Sequence, residues 1–129
     1  RQTEKTYIAR ITGKPAQLSG VITLPLIADW PNRPRQKVCH ETGKSAETQW
    51  EIMDHQDGVT RVLLRPKTGR SHQLRVHMAE LGHPILGDRI YAPDSVFTAA
   101  DRLQLHAHKL RLRKPTGGQW VEHESVCPF

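Results

Sequence analysis

Between Pro66 and His77 the chain reads Pro-Lys-Thr-Gly-Arg-Ser-His-Gln-Leu-Arg-Val-His, which crowds Arg70, His72 and Arg75 with Ser71 and Gln73 into the mouth of one short helix. Guanidinium groups grip phosphates and carboxylates with a planar fork, and imidazole titrates near neutrality. Such a set suits an anion or a proton transfer. A helix N-terminus already carries partial positive charge, so basic groups in its first turns work against the macrodipole. A negative group there, either a phosphate or a carboxylate from elsewhere in the protein, would offset that cost. Basic side chains reaching out into solvent would leave the same letters, and spacing alone does not separate the two readings.

A second cluster runs Asp29-Trp-Pro-Asn-Arg-Pro-Arg-Gln-Lys37. It sets Arg33, Arg35 and Lys37 beside Trp30, and its prolines argue against any regular element. A plain solvated loop would look similar. Cations on phosphates with a ring free to stack favour RNA contact. Tyr7 is a single aromatic in a strand-like stretch and by itself reads as core filler. His106-x-His108 places two imidazoles on one face of a strand, which is half of a metal site. No third ligand stands at a useful spacing, so structural histidines are the better reading and no metal is expected. His72 and His77 diverge around a helix and cannot share an ion. Ser71 lacks the glycine-flanked elbow of a hydrolase nucleophile. No glycine pattern for nucleotide phosphates occurs. A hydrolase or nuclease built on His72, His77 and Asp88 has no compelling constellation.

The helix that would carry the first cluster is signalled by Leu74, Met78 and Leu81 at i, i+4 and i+7, with start signals at Gly69 and Ser71. Gly82 and Pro84 should stop it. Alternation predicts strands over Thr6–Thr12 and Ser19–Ile27, the latter pushed to a sheet edge by Pro25. The pattern breaks from Ala28 to Lys44. Strands resume over Ala46–Asp54 and Val59–Arg65, joined by a tight Asp57-Gly58 hairpin turn. Ile85–Tyr91 is ambiguous, and Val96–Ala100 reads as a short helix. Leu103–Arg113 alternates at length, and a turn at Pro115–Gly118 leads to a last strand, Gln119–Glu124. The expected fold is α+β: a strand-rich mixed or antiparallel sheet with one main helix.

The 129 residues make one domain, and 36% hydrophobic with only 5% aromatic residues implies an aliphatic core of modest size. A formal charge of +6, before any of the eight histidines protonates, favours a polyanionic partner, most simply nucleic acid. No apolar run approaches a membrane span and no signal peptide is evident. Cys39 and Cys127 match no metal spacing and read by default as free thiols in a reducing cytoplasm, with a disulfide as the lesser alternative. An opening of Arg-Gln-Thr-Glu-Lys without initiator Met is expected of a fragment.

Several of these segments together resemble the bacterial RluA-type pseudouridine synthases. The resemblance rests on Lys5-Thr-Tyr7-x-Ala9-Arg10, on Leu24 through Cys39, on Glu41-Thr-Gly-Lys44 and on Pro66 through His77. It continues through Gly82-His-Pro-Ile-Leu-Gly-Asp88 and Leu103-Gln-Leu-His-Ala107, in the family's order and over nearly the whole chain. The Asp-Trp-Pro-Asn-Arg-Pro stretch is similar to the dual-specificity subgroup, which modifies both 23S ribosomal RNA and certain tRNA anticodon stem-loops.

The resemblance implies isomerisation of uridine to pseudouridine, without cofactor or metal. The family's catalytic aspartate lies in a His-Arg-Leu-Asp-x-x-Thr-Ser-Gly motif ahead of the Tyr7 segment, and that motif is absent here. Residues 1–129 are therefore expected to be the C-terminal part of a catalytic domain, inactive alone, with an apolar face and sheet edge left open to association. By the same resemblance Arg75 would pair with the missing aspartate, Leu74 would form a dry pocket wall, and Tyr7 would stack on the uracil and help remove its C5 proton. Trp30, Arg33, Arg35 and Lys37 would contact RNA, and Arg70 and His72 would bind it near the backbone. The competing reading is a basic RNA-binding module that performs no chemistry.

Overall fold

The structure, a computed structural model, describes residues 3–114 and 117–129. Its frame is a six-stranded antiparallel sheet. In chain order the strands are β1 (Thr3–Thr12), β2 (Ser19–Ile22), β5 (Thr48–Gln56), β6 (Val59–Pro66), β7 (Leu105–Arg113) and β8 (Trp120–Glu124). In space they run β2-β5-β6-β1-β7-β8. β3 (Leu26–Ala28) and β4 (Gln36–Val38) pair separately as a small second sheet. Helices α1 (Gln73–Leu81) and α2 (Asp94–Phe97) complete the fold.

The period-2 pattern decides which face is buried. Tyr7, Ala9 and Ile11 on β1 stand opposite Leu64, Val62 and Thr60 on β6, so one face collects the apolar side chains. Trp50, opposite Leu64 on β5, extends that face. Leu74 and Met78 of α1 and Ile85 just beyond it pack against the face, with Leu81 half-buried beside them. The i, i+4, i+7 stripe thus does what its spacing predicts. Gly82, at φ 96, caps the helix, and the His83 nitrogen reaches back to the Met78 carbonyl.

Several sequence expectations need correction. All the recorded pairings of the large sheet are antiparallel, so the mixed alternative falls. The single strand expected over Ser19–Ile27 is two, because Pro25 has no N–H to donate and the chain leaves one sheet for the other there. The segment from Ala28 to Lys44 does hold regular structure: a 3-10 turn at Trp30–Asn32 and then β4. The main helix starts at Gln73, not at Gly69 or Ser71, so Arg70 and His72 precede it instead of lying in its first turn. The short second helix covers Asp94–Phe97.

The Asp57-Gly58 turn is as expected, with φ of 54 and 77. Of the turn expected at Pro115–Gly118, Pro115 and Thr116 lie outside the described residues. β2 and β8 form the sheet's edges, where Val21 and Trp120 are exposed. Among the described residues no helix is long and apolar enough to cross a membrane.

Candidate active-site cleft

A cleft of about 310 Å³ opens between β1 and the start of α1. Lys5 and Tyr7 line it from β1, Leu74 and Arg75 from α1, and Arg70 and His72 from the turn between β6 and α1. The fold therefore gathers five of the sequence-predicted residues at one place: Tyr7, Leu74, Arg75, Arg70 and His72.

Gln73 builds the turn that presents them. It is buried, and its amide makes four hydrogen bonds. Its Oε1 accepts from the Thr68 hydroxyl at 2.7 Å and the Arg70 backbone nitrogen at 3.1 Å. Its Nε2 donates to the Glu47 carbonyl and the Thr48 hydroxyl, both at 2.9 Å. A primary amide offers two N–H donors on one side and two acceptor lone pairs on the other, which matches these four partners. The network runs on to His77, whose Nδ1 lies 2.8 Å from the Thr48 hydroxyl and whose Nε2 lies 2.9 Å from the Leu24 carbonyl. Only a donor satisfies a carbonyl, so the His77 proton sits on Nε2 and Nδ1 accepts from Thr48. Burial holds this imidazole below its ordinary pKa. Thr68, Gln73 and His77 thus frame the motif, while Arg70, His72 and Arg75 line the cleft.

Arg75 has one anion inside the chain itself, a carboxylate from further along the sequence. Its Nη2 and Nε meet the two oxygens of Asp88 at 2.7 and 3.2 Å. Asp88 is fully buried and also accepts the backbone N–H groups of Ile90 and Tyr91. Nη1 of Arg75 has no hydrogen-bond partner among the described residues, which leaves it for a further acceptor at the cleft. The sequence signal for Asp88 was its place after Gly87, in a turn that only glycine permits: φ is 79, and a Cβ would sit 2.1 Å from the Arg102 carbonyl oxygen.

Tyr91 was missed by sequence reasoning altogether. Its hydroxyl lies 2.7 Å from Nδ1 of His72 and 2.8 Å from the Gln36 nitrogen on β4. Its ring is flanked by the guanidinium groups of Arg35 and Arg75, 5.2 and 5.3 Å from its centre. It therefore ties the Trp30–Lys37 loop to the cleft. In that loop Trp30 is exposed, with the Arg33 guanidinium 4.9 Å from its ring centre, and Arg33 and Lys37 face solvent. Arg35 differs, since Nη1 donates to the Ile90 carbonyl at 2.5 Å. The loop residues do not line the cleft itself.

His106 and His108 both turn toward the Ser125 carbonyl, at 3.1 and 2.8 Å, the arrangement of structural histidines. Among the described residues no group of three or more potential ligands is placed to hold a metal.

The antiparallel sheet with its one main helix is the pseudouridine synthase fold, and the chain belongs to the RNA pseudouridylate synthase family, whose sequence profile matches residues 1–80. The particular relatives it is most usefully set beside are named dual-specificity RNA pseudouridine synthase RluA. That of Yersinia pestis is 59% identical over 130 aligned positions, and the match covers 100% of this chain and 63% of the relative. That of Escherichia coli is 51% identical, with 59% of its length covered. The chain thus spans about three-fifths of these curated relatives. Among solved structures, human RNA pseudouridylate synthase domain containing 1 superimposes with a TM-score of 0.85 at 32% identity, over 99% of this chain and 56% of that one. Human RNA pseudouridylate synthase domain containing 4 shares the fold, with a TM-score of 0.76 at 23% identity.

Proposed function

We propose that residues 1–129 form the C-terminal part of the catalytic domain of a cytoplasmic, dual-specificity pseudouridine synthase acting on 23S ribosomal RNA and a tRNA anticodon stem-loop. The observation that carries the reading is the convergence of Tyr7, Leu74 and Arg75, from two separate elements, on one cleft with Arg70 and His72 at its rim. The reaction breaks the uridine N1–C1′ bond, turns the base, and joins C5 to C1′. No redox change accompanies it, and a cleft without cofactor suffices.

Each residue has work suited to its place. Tyr7 stacks on the detached uracil and helps remove the C5 proton. Leu74, largely buried, keeps water from the glycosidic carbon. Arg75, locked by Asp88, offers Nη1 to the catalytic aspartate, which the resemblance places in a segment preceding Tyr7. It holds that carboxylate ionised and aimed. Arg70 and His72 contact the target nucleotide region, and Trp30, Arg33 and Lys37 with the tethered Arg35 extend the contact along the RNA. Free thiols at Cys39 and Cys127 suit a reducing compartment. The exposed Leu112 and Trp120 at the β8 end offer a surface for the rest of the longer protein.

The test is tritium release from 5-tritiated uridine in an anticodon stem-loop transcript, comparing these residues with the full-length protein. Release by the full-length protein alone supports the reading. Release by residues 1–129 would mean that the nucleophile lies in this chain, with exposed Asp101 the first suspect because Asp88 is buried and paired. RNA binding without release in either would favour a non-catalytic binding module.

A further inference from the structure

The two hydrogen bonds of the Tyr91 hydroxyl have a fixed direction. A backbone N–H can only donate, so the phenol oxygen accepts from Gln36, 2.8 Å away. Its own O–H is then free to donate, and the acceptor in reach is Nδ1 of His72 at 2.7 Å. Nδ1 therefore carries no proton, and the proton of the ring sits on Nε2. A proton on Nδ1 would instead strand the phenol O–H in a half-buried setting. The ring is held in other ways too. His72 sits at φ 55, just ahead of the helix, and its ring meets that of Tyr91 edge-on at 83° with centroids 5.6 Å apart. With Nδ1 engaged, Nε2 is on the far side of the ring, and it has no hydrogen-bond partner among the described residues although His72 lines the cleft.

The charges around this imidazole disfavour a second proton. Arg75 faces it from α1, and Asp88 faces it in turn but is already paired with Arg75. Arg35 stacks on Tyr91 from the loop before β4, and Lys5 and Arg70 line the same cleft. Burial and then Arg75 push the His72 pKa down. A phosphate would be better served by a cation, and here the cation is opposed.

We infer that His72 meets the target nucleotide as a neutral Nε2–H donor to a carbonyl or hydroxyl oxygen of the nucleoside, and that Tyr91 is the positioning residue that fixes this tautomer. The inference rests on the proposed synthase reading, and it changes what His72 recognises: the nucleoside and not the phosphate backbone. Because Tyr91 also takes the Gln36 N–H, the setting of His72 is tied to the seating of β4 and the basic loop before it.

The experiment uses the full-length protein and an anticodon stem-loop transcript, with His72→Asn and Tyr91→Phe. Asparagine tolerates positive φ and still accepts from Tyr91, but it does not reach the cleft. His72→Asn should lower kcat/KM about tenfold, the loss of one hydrogen bond. The slope of log affinity against log salt should stay unchanged, because no phosphate contact is lost. A slope reduced by about one contact would make His72 a phosphate ligand and overturn the inference. Imidazole nitrogen NMR should find His72 of the wild type as the Nε2–H tautomer, and Tyr91→Phe as a mixture. An Nδ1–H tautomer in the wild type overturns the role of Tyr91, and that measurement stands even where Tyr91→Phe does not fold. If the wild type neither binds nor converts the transcript, the synthase reading fails and the nucleoside contact with it, while the tautomer still decides what Tyr91 does.

Discussion

Arg75 and Asp88 meet fork to carboxylate, Nη2 to Oδ1 at 2.7 Å and Nε to Oδ2 at 3.2 Å, with the carboxylate fully buried. The anion that the basic helix mouth calls for is thus supplied by the Gly87-Asp88 turn. A pair of this kind is retained for where it holds the guanidinium, since desolvation consumes most of the Coulomb gain.

Breaking the pair from one side should be much worse than removing it from both. Arg75→Ala leaves a buried carboxylate unpaired and should destabilise by about 3–5 kcal/mol. The double variant Arg75→Ala with Asp88→Asn should recover a large part of that, since the neutral amide oxygen still accepts from Ile90 and Tyr91. Urea denaturation of the two variants checks it, and equal losses would show that the pair is not what Arg75 contributes to stability. The comparison also bears on the chemistry. Only in a variant that folds as well as wild type does lost turnover report on Nη1 and the catalytic aspartate.

Two glycines with the same sign of φ should respond very differently to alanine. At Gly82, φ is 96 and nothing lies within 4 Å of a new Cβ, so Gly82→Ala should cost about 1 kcal/mol from backbone strain alone. At Gly87, φ is 79 and a Cβ would fall 2.1 Å from the Arg102 carbonyl oxygen. The backbone of either the Asp88 turn or the strand-ward Arg102 segment must then move. Gly87→Ala should therefore lower the melting temperature far more than Gly82→Ala, and should cut activity by displacing Asp88 from Arg75. Similar melting temperatures would show that the turn gives way cheaply.

What the sequence made legible was what is decided locally. The stripe of Leu74, Met78 and Leu81, the stop at Gly82 and the Asp57-Gly58 turn each depend on residues within a few positions, and each is found as expected. The helix start was misplaced because it depends on Gln73 bonding to Thr48 and Glu47, some 25 residues upstream. The split at Pro25 was half legible: the proline signals an edge, but only the pairing of β3 with β4 shows that the chain changes sheets. At the site, Tyr7, Leu74 and Arg75 came from the resemblance, and the fold brings the three to one cleft. Asp88 as the partner of Arg75, and Tyr91 as the link to Gln36, are contacts across 13 and 55 residues, and no periodicity encodes either.

The basic loop should separate into contacts for RNA and contacts for the fold. Arg33 and Lys37 are exposed and their side chains make no hydrogen bond or ion pair among the described residues, so Arg33→Ala and Lys37→Ala should leave stability within about 0.5 kcal/mol of wild type. Each should reduce the salt slope of RNA binding by about one contact. Arg35→Ala also removes the bond to the Ile90 carbonyl. It should cost about 1 kcal/mol of stability, below the usual range for a charge-assisted bond because the group is exposed. Thermal melts beside binding titrations over a salt series make the distinction. A neutral effect of Arg35→Ala on melting would put it with the other two.

Acid should weaken the fold through His77. Burial among Thr48, Leu24 and the helix lowers its pKa from the ordinary 6.5, outweighing the Leu24 carbonyl bond and Glu80, which act the other way. The native state therefore binds fewer protons here than the unfolded chain does, and stability rises with pH through that window. The contribution is fully present above the unfolded value and is lost as pH falls through it toward the folded one. Melting temperature should thus be flat at and above about pH 7 and decline toward about pH 5. Asp54, held low by its hydrogen bond to Arg61, enters only below its own ordinary 3.8. His72 shifts in the same direction, so a substitution isolates the buried ring. His77→Gln keeps an N–H for the Leu24 carbonyl and cannot take up a proton. It should be less stable than wild type at pH 8, and its melting temperature should fall less between pH 7 and 5. Parallel curves for the two proteins would show that His77 is not the group that acid attacks.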